Sequence, residues 1–346
     1  KTNTNIIMNK DYNANCQPQK SAVDLTTPYI HEAIDLLDVA LSSNPIIIAD
    51  FGSAHGANSI VAMKLMIQLL KETKKIQDDK SILVVHNDLP TNDWKTLFNL
   101  LEKDKSYHAV ASGRSFYEQC FPPETLTCGF SSTSLHWLTK KPCNITNYCA
   151  INSTNNTTER EAFQQQAKLD LASFFEHRSR ELVPNGVLVL NIPCMNADDS
   201  VGFDIGLKTL YESAKDVGLT EQELLDYSIP VYYRSFQECI DPELFDRCSL
   251  KLVKAEFHEF EMEASIQYKN GQLPRNQYAK MTTLIMRSWS EPLLKQTLEA
   301  SGRSNDEIGK ILTQFWIIYE QKFNNDPCPL SAYFYYTFLI CKKTYA

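Results

Sequence analysis

The chain lacks any excess of positive charge. Its 346 residues carry 34 Lys and Arg against 42 Asp and Glu, a formal net charge of −8. Such a surface is not a phosphate-binding footprint, so no nucleic-acid partner is expected. There is also no apolar run of the ~18 residues that a membrane-crossing helix requires, so no membrane partner is expected. The opening stretch "KTNTNIIMNKDYNANC" has neither the apolar segment nor the small-residue cleavage pattern of a secretory leader, which points to the cytoplasm. Ten cysteines are present, but none form C-x-x-C, and Cys143 and Cys149 stand six apart, the wrong spacing for a zinc knuckle. They read as free thiols. No metal is expected, because the scattered acids of 198–204 and 238–246 read as solvated helix ends. A dinucleotide fingerprint, G-x-G-x-x-G, is missing as well.

What is present suffices for a large core: 43% of residues are apolar and 22% charged, ordinary globular proportions. "IIIADF" (46–51), "SILVVHNDLP" (81–90) and "NGVLVLNI" (185–192) are short apolar runs without alternation, the pattern of strands buried on both faces. Helical spacing links Ile60, Met63, Ile67 and Leu70, then Trp94, Leu97, Phe98 and Leu101, then Phe163, Ala167, Leu171 and Phe174. Alternation of strand and helix predicts an α/β fold with a doubly wound, mostly parallel sheet. An earlier helix is expected to start with Thr27 as N-cap and Pro28 in the first turn, to carry Ile30, Ile34, Leu37 and Leu41, and to stop at Asn44-Pro45. Beyond residue 200 helical patterns dominate. Residues 1–200 therefore read as an N-terminal arm and α/β core, 201–248 and 263–325 as a helix-rich cap, and 249–262 and 330–346 as returning core strands.

The first strand ends in "ADFGSAHGANS". Ligands of open α/β sheets bind beyond the carboxyl ends of the strands. Gly52 and Gly56 let a ligand approach the backbone, and the helix that follows offers free N–H groups. Asp50, two residues before the first glycine, would repel a pyrophosphate. It suits a cationic ligand instead, and S-adenosyl-L-methionine, with its ammonium and sulfonium, is the expected cofactor. Asp88, at the end of the next strand, is placed to accept hydrogen bonds from ribose hydroxyls.

Seven segments in order resemble one family, the plant-type salicylate, jasmonate and theobromine (SABATH) methyltransferases. "DYNANCQPQ" is similar to S-Y-A-x-N-S-x-x-Q, "ADFGSAHGANS" to A-D-x-G-C-S-S-G-P-N, and "HNDLPTNDW" to N-D-L-P-x-N-D. "GRSFYEQCFPPETL" resembles G-S-F-Y-x-R-L-F-P-x-x-S-L, and "SSTSLHWLTKKP" resembles S-S-Y-S-L-H-W-L-S-x-x-P. "YSIPVYYRS" is similar to F-N-x-P-x-Y-x-P-S and "RSWSEPLL" to R-A-x-x-E-P-L-L. The resemblance runs from about residue 11 to residue 294. It implies a Rossmann-like methyltransferase sheet, with Asp50 and Asn58 on the methionyl end of the cofactor and Tyr12 beside them. It places Asp88 on the ribose, Leu89 against the adenine, and Ser115 and Phe116 at the adenine edge and face. Gln19, His136 and Trp137 match positions that meet the acceptor's carboxylate, and Tyr232 matches a pocket wall.

There are departures. Cys16 replaces a serine that contacts the cofactor, and a thiol is a poorer donor. Thr133 replaces a tyrosine, which enlarges one side of the acceptor pocket. Ser53-Ala54-His55 replaces C-S-S, and Ser228 replaces an asparagine.

These residues imply methyl transfer to a small, mostly apolar carboxylic acid. A carboxylate, with a reference pKa of about 4, is ionised at neutral pH and needs no base. The expected work is alignment and exclusion of water, with no acid–base catalytic residue; His55, His86 and His177 read as structural. Methylation of a heterocyclic nitrogen is the alternative within the family. A nicotinamide oxidoreductase is disfavoured by Asp50, and a binding protein without catalysis has only Cys16 in its favour. A homodimer is left open, as relatives are often dimers.

Overall fold

The computed structural model describes residues 8–38, 46–76, 81–325 and 332–344. Leu41 and the Asn44-Pro45 stop lie outside the described residues. The chain opens with a short helix, α1 (Tyr12–Asn15), and a long one, α2 (Gln17–Leu36). Then β1 (Ile46–Phe51), α3 (Ala57–Glu72), β2 (Ile82–Asp88), α4 (Trp94–Lys103) and β3 (His108–Gly113) alternate, followed by β4 (Leu126–Ser132), α5 (Thr157–Glu181) and β5 (Leu182–Cys194). Four helices come next: α6 (Asp204–Asp216), α7 (Glu221–Asp226), α8 (Phe236–Cys239) and α9 (Pro242–Arg247). The chain returns through β6 (Leu250–Glu261), crosses α10 (Glu263–Lys269), α11 (Arg275–Ala300) and α12 (Asn305–Asn325), and ends with β7 (Tyr333–Lys343).

The seven strands form one sheet in the order β3-β2-β1-β4-β5-β7-β6. The first five are parallel; β7 runs antiparallel between β5 and β6. This is the expected doubly wound sheet. The order reverses between β1 and β4, which opens a crevice at their carboxyl ends.

Pleating sends alternate side chains to opposite faces. Ile48, Val84 and Val189 meet Ile30, Ile34, Met63 and Met66 of α2 and α3 on one face. Ala49, Leu188 and Leu190 meet Leu171, Phe174 and Phe175 of α5 on the other. Burial on both faces explains why these strands read as continuous apolar runs.

Thr27 and Pro28, expected at the start of the first long helix, lie inside it; α2 begins at Gln17. An interior proline costs about 3 kcal/mol in an isolated helix because a hydrogen bond is lost. Here Pro28 and Asp24, whose carbonyl loses its donor, are both exposed, so water can take the vacant lone pair. Pro18, Ala22, Val23, Thr26, Tyr29 and Ile30 are buried at helical spacing, and that packing overrides the local signal.

A second core holds the cap. Leu207 and Leu210 of α6, Trp289, Leu293 and Leu294 of α11, and Phe315, Trp316 and Tyr319 of α12 pack together. Cys239, Leu244, Phe245 and Cys248 join the α5 face of the sheet, because α9 packs on β6 and α5. Among the described residues no helix is long and apolar enough to cross a membrane.

Candidate functional site

A cavity of about 660 Å³ lies where the carboxyl ends of the central strands face the cap. Tyr12, Gln19, Gly52, Asp88, Leu89, Ser115, Phe116, Thr133, His136 and Trp137, all expected from sequence, line it. A side branch of about 30 Å³ runs beneath the first loop to Asp50 and Asn58 and shares Tyr12, Gln19, Gly52 and Thr133 with the main cavity.

The loop after β1 requires its glycines. Gly52 has φ +99°, and a Cβ there would sit 2.1 Å from Ser134 Oγ; Gly56 has φ +94°, and a Cβ there would sit 2.2 Å from Leu97 Cδ1. The Gly52 and Ser53 N–H groups donate to Asn87 O on the next strand, at 2.9 and 3.0 Å. Asn92 Nδ2 donates to Ala54 O at 2.7 Å, so the loop is held from two sides.

Asp50 is 4% exposed, not the open cleft carboxylate that its loop suggests. Burial pushes it up to about 7; a hydrogen bond from Ser59 opposes the rise and the Asp88 charge adds to it. Ser59 Oγ lies 2.7 Å from His86 Nδ1, and Tyr107 Oη lies 3.3 Å from His86 Nε2, so His86 supports Asp50 through Ser59. Asp88 is half-buried and pushed up to about 6, although it accepts N–H bonds from Ala54 at 2.7 Å and Leu89 at 2.8 Å. Two carboxyls held above their ordinary range fit a nearby cationic group, which would favour the ionised form of both.

The loop of Ser115 and Phe116, expected at the adenine, hangs on a buried ion pair that sequence reading missed. Arg178 and Glu181, both with fully buried side chains, meet at 2.7 Å. Arg178 also donates to Phe116 O at 2.7 Å and Glu118 O at 2.9 Å, while Glu181 accepts from Cys120 N and Phe121 N. The pair clamps the loop that carries Ser115 and Phe116. Its sequence signal, a charged pair three apart, is shared by countless surface helices.

Where the acceptor is expected, the His136 ring lies 5.3 Å from Tyr233 and 5.5 Å from Trp137, and Trp137 meets Trp289 edge-on at 6.1 Å. Burial pushes the His136 imidazole down to about 3, and the Arg234 charge adds to the fall. Gln19 Oε1 and His136 Nδ1 are buried without a hydrogen-bond partner among the described residues. Thr133 holds φ +54°, a strained conformation for a β-branched residue, with its N–H on Asn191 O at 3.0 Å. Phe203, Ile285, Met286, Trp289, Phe334 and Tyr336 complete an aromatic, apolar wall. They come from the cap and from β7, remote in sequence from the matched motifs.

Two expected residues line neither cavity. Tyr232 packs with Leu138, Ile145 and Phe163 and donates its hydroxyl to Glu238 at 3.1 Å. Its neighbour Tyr233 takes the wall position instead, since adjacent residues in extended chain face opposite ways. Cys16 is buried, its sulfur accepting from Asn58 Nδ2 at 3.4 Å and donating to Asn13 O at 3.5 Å.

The family of SAM dependent carboxyl methyltransferases matches residues 7–325, so the chain belongs to that family. It is 28% identical over 309 residues to a Petunia hybrida S-adenosyl-L-methionine:benzoic acid/salicylic acid carboxyl methyltransferase 3, covering 82% of this chain and 84% of that protein. It is 29% identical over 247 residues to Arabidopsis thaliana paraxanthine methyltransferase 2, covering 65% and 69%. The fold superposes on a solved loganic acid methyltransferase with SAH at a TM-score of 0.79 and 21% identity, covering 98% and 99% of the two chains. The protein is thus a SAM-dependent methyltransferase.

Proposed function

We propose that this member of the family forms the methyl ester of a small, largely apolar carboxylic acid. One observation carries the choice of acceptor. His136 is the only imidazole among the cavity-lining residues, and burial holds it at about 3, so it takes up no proton at neutral pH. A nitrogen heterocycle or hydroxyl that must lose a proton gets no base from it. A carboxylate has no proton to lose.

When bound, the cofactor supplies a methyl group on a positively charged sulfur; a carboxylate oxygen lone pair forms the new O–C bond as the C–S bond breaks and its electron pair stays on sulfur. Asp50 would supply negative charge on the methionyl side, with the neutral Asn58 amide beside it. Asp88 would accept from the ribose, and Leu89, Ser115 and Phe116 would hold the adenine; an aromatic ring is suited to stack on a base. Gln19 and Trp137 each offer a neutral N–H donor to the acceptor carboxylate, which orients it without a blunting ion pair. The aromatic wall from the cap excludes water. The same reading carries a cytoplasmic enzyme, as monomer or homodimer.

The test incubates the protein with methyl-labelled cofactor and benzoic, octanoic and geranic acids, beside xanthine-type heterocycles. Base-labile methyl esters are expected. Labelled N-methyl products with no ester from any acid would overturn the carboxyl assignment in favour of N-methylation.

A further inference from the structure

Arg234 stands where the resembled segment F-N-x-P-x-Y-x-P-S has its second proline. Its side chain is 1% exposed. Nη1 donates to Leu135 O at 2.5 Å and Nη2 to Ala167 O at 2.6 Å, while Nε is buried with no partner among the described residues. Those acceptors are neutral carbonyls. Among the described residues no carboxylate oxygen lies within 4.0 Å of this guanidinium, unlike Arg178 and Arg303, which each hold a glutamate. The acids on neighbouring elements are already engaged. Asp170, one turn along α5 from Ala167, accepts from Thr139 N, Thr139 Oγ1 and Gln166 Nε2. Glu238 accepts from Tyr232 Oη, Gln164 Nε2 and Ser235 N.

A buried cation with no carboxylate in contact is costly, and a fold retains one where a charge further off or a bound group compensates it. The carbonyl that Nη1 holds belongs to Leu135, the residue before His136 and Trp137. Arg234 itself follows Tyr233, whose ring stacks on His136. The charge therefore sits behind the wall that the acceptor faces. We propose that Arg234 is the counter-charge of the acceptor site, a specificity-determining residue that favours an anionic acceptor over a neutral one through the layer formed by Leu135, His136 and Tyr233.

This rests on the carboxyl-acceptor reading and gives it a physical source. The anion gains a buried opposite charge without direct contact, so its oxygen stays free to attack. At an effective dielectric of about 20, a charge one side-chain layer away favours an anion by roughly tenfold or more in affinity. Burial makes this preference insensitive to moderate salt, unlike a surface attraction.

The test takes whichever acid of the panel has the highest kcat/KM, together with its primary amide, and measures both dissociation constants on protein loaded with the demethylated cofactor, which cannot turn over. Wild-type protein is expected to prefer the acid at least tenfold. Arg234→Gln and Arg234→Met should each lower that preference about tenfold, while Arg234→Lys, which keeps the charge, should hold it within threefold; cofactor affinity should stay within threefold in all. A folded neutral variant with the wild-type preference overturns the role of Arg234 and leaves the carboxyl reading standing. Should both neutral variants unfold, the wild-type preference decides: equal affinity for acid and amide overturns the proposal. Wild-type protein that esterifies no acid but methylates a heterocycle defeats the carboxyl reading itself.

Discussion

Asp50 and Asp88 end adjacent parallel strands, Asp50 lying opposite His86 and Asp88 two residues further on, and the charge of Asp88 helps hold Asp50 up at about 7. Two acids this close are poorly matched to an empty site and well matched to a cation. Cofactor binding should therefore release protons. At pH 6 much of Asp50 is protonated, and binding of a sulfonium must ionise it; at pH 8.5 it is already ionised. Titration calorimetry in two buffers of different ionisation enthalpy should show roughly one to one and a half protons released per cofactor at pH 6, with Asp88 adding its share to that of Asp50, and almost none at pH 8.5. Affinity should fall as the pH drops through 7.

The same group shapes the stability of the free protein. An acid whose folded pKa lies above its unfolded value holds more protons when folded, so stability declines as pH rises between the two, here from about 4 to about 7. Asp50→Asn removes that decline. Without cofactor, the variant should be more stable than wild type at pH 8 by about 1–3 kcal/mol, with no gain at pH 4, in urea unfolding at the two pH values. Its cofactor affinity should fall at least a hundredfold. Destabilisation at pH 8 would show that Asp50 is paired in a way the geometry does not reveal.

Trp137→Ala separates the two halves of the cavity. The indole meets His136 and Trp289 on the acceptor side. Cofactor affinity should stay within threefold, while kcat/KM for the acid falls on the order of a hundredfold, about 2.7 kcal/mol of lost alignment. Equal loss of both would mean the division of the pocket is wrong.

Arg178→Met strands Glu181 as a buried anion. Removing one partner of a buried pair costs about 3–5 kcal/mol. Because the pair also holds Phe116 O, Cys120 N and Phe121 N, cofactor affinity should fall with stability. Chemical denaturation and cofactor titration of the same sample check this.

Tyr232 and Tyr233 offer a paired comparison. Tyr232→Phe loses one hydrogen bond to Glu238, worth about 1 kcal/mol, and should leave the acceptor KM unchanged. Tyr233→Ala removes the ring stacked on His136 and should raise that KM at least tenfold. Steady-state kinetics on the best acid decides between them.

The sequence alone determined the central buried strands, the parallel α/β class and the acid-glycine turn after the first strand, because each is a local signal. Continuous apolar runs mark doubly buried strands, and the acid-glycine turn at Asp50–Gly56 marks their ligand-binding edge. Only the tertiary structure decided the rest. Pro28 inside α2 depended on what lies beneath the helix, and the choice of Tyr233 over Tyr232 depended on which face of a non-repeating segment met the cavity. Arg178 and Arg234 read as two charges among 34 basic residues until packing buried both and gave a glutamate to only one. A side chain's charge is written in the sequence; its desolvation and its partners, which set what that charge does, arise only when distant segments close around it.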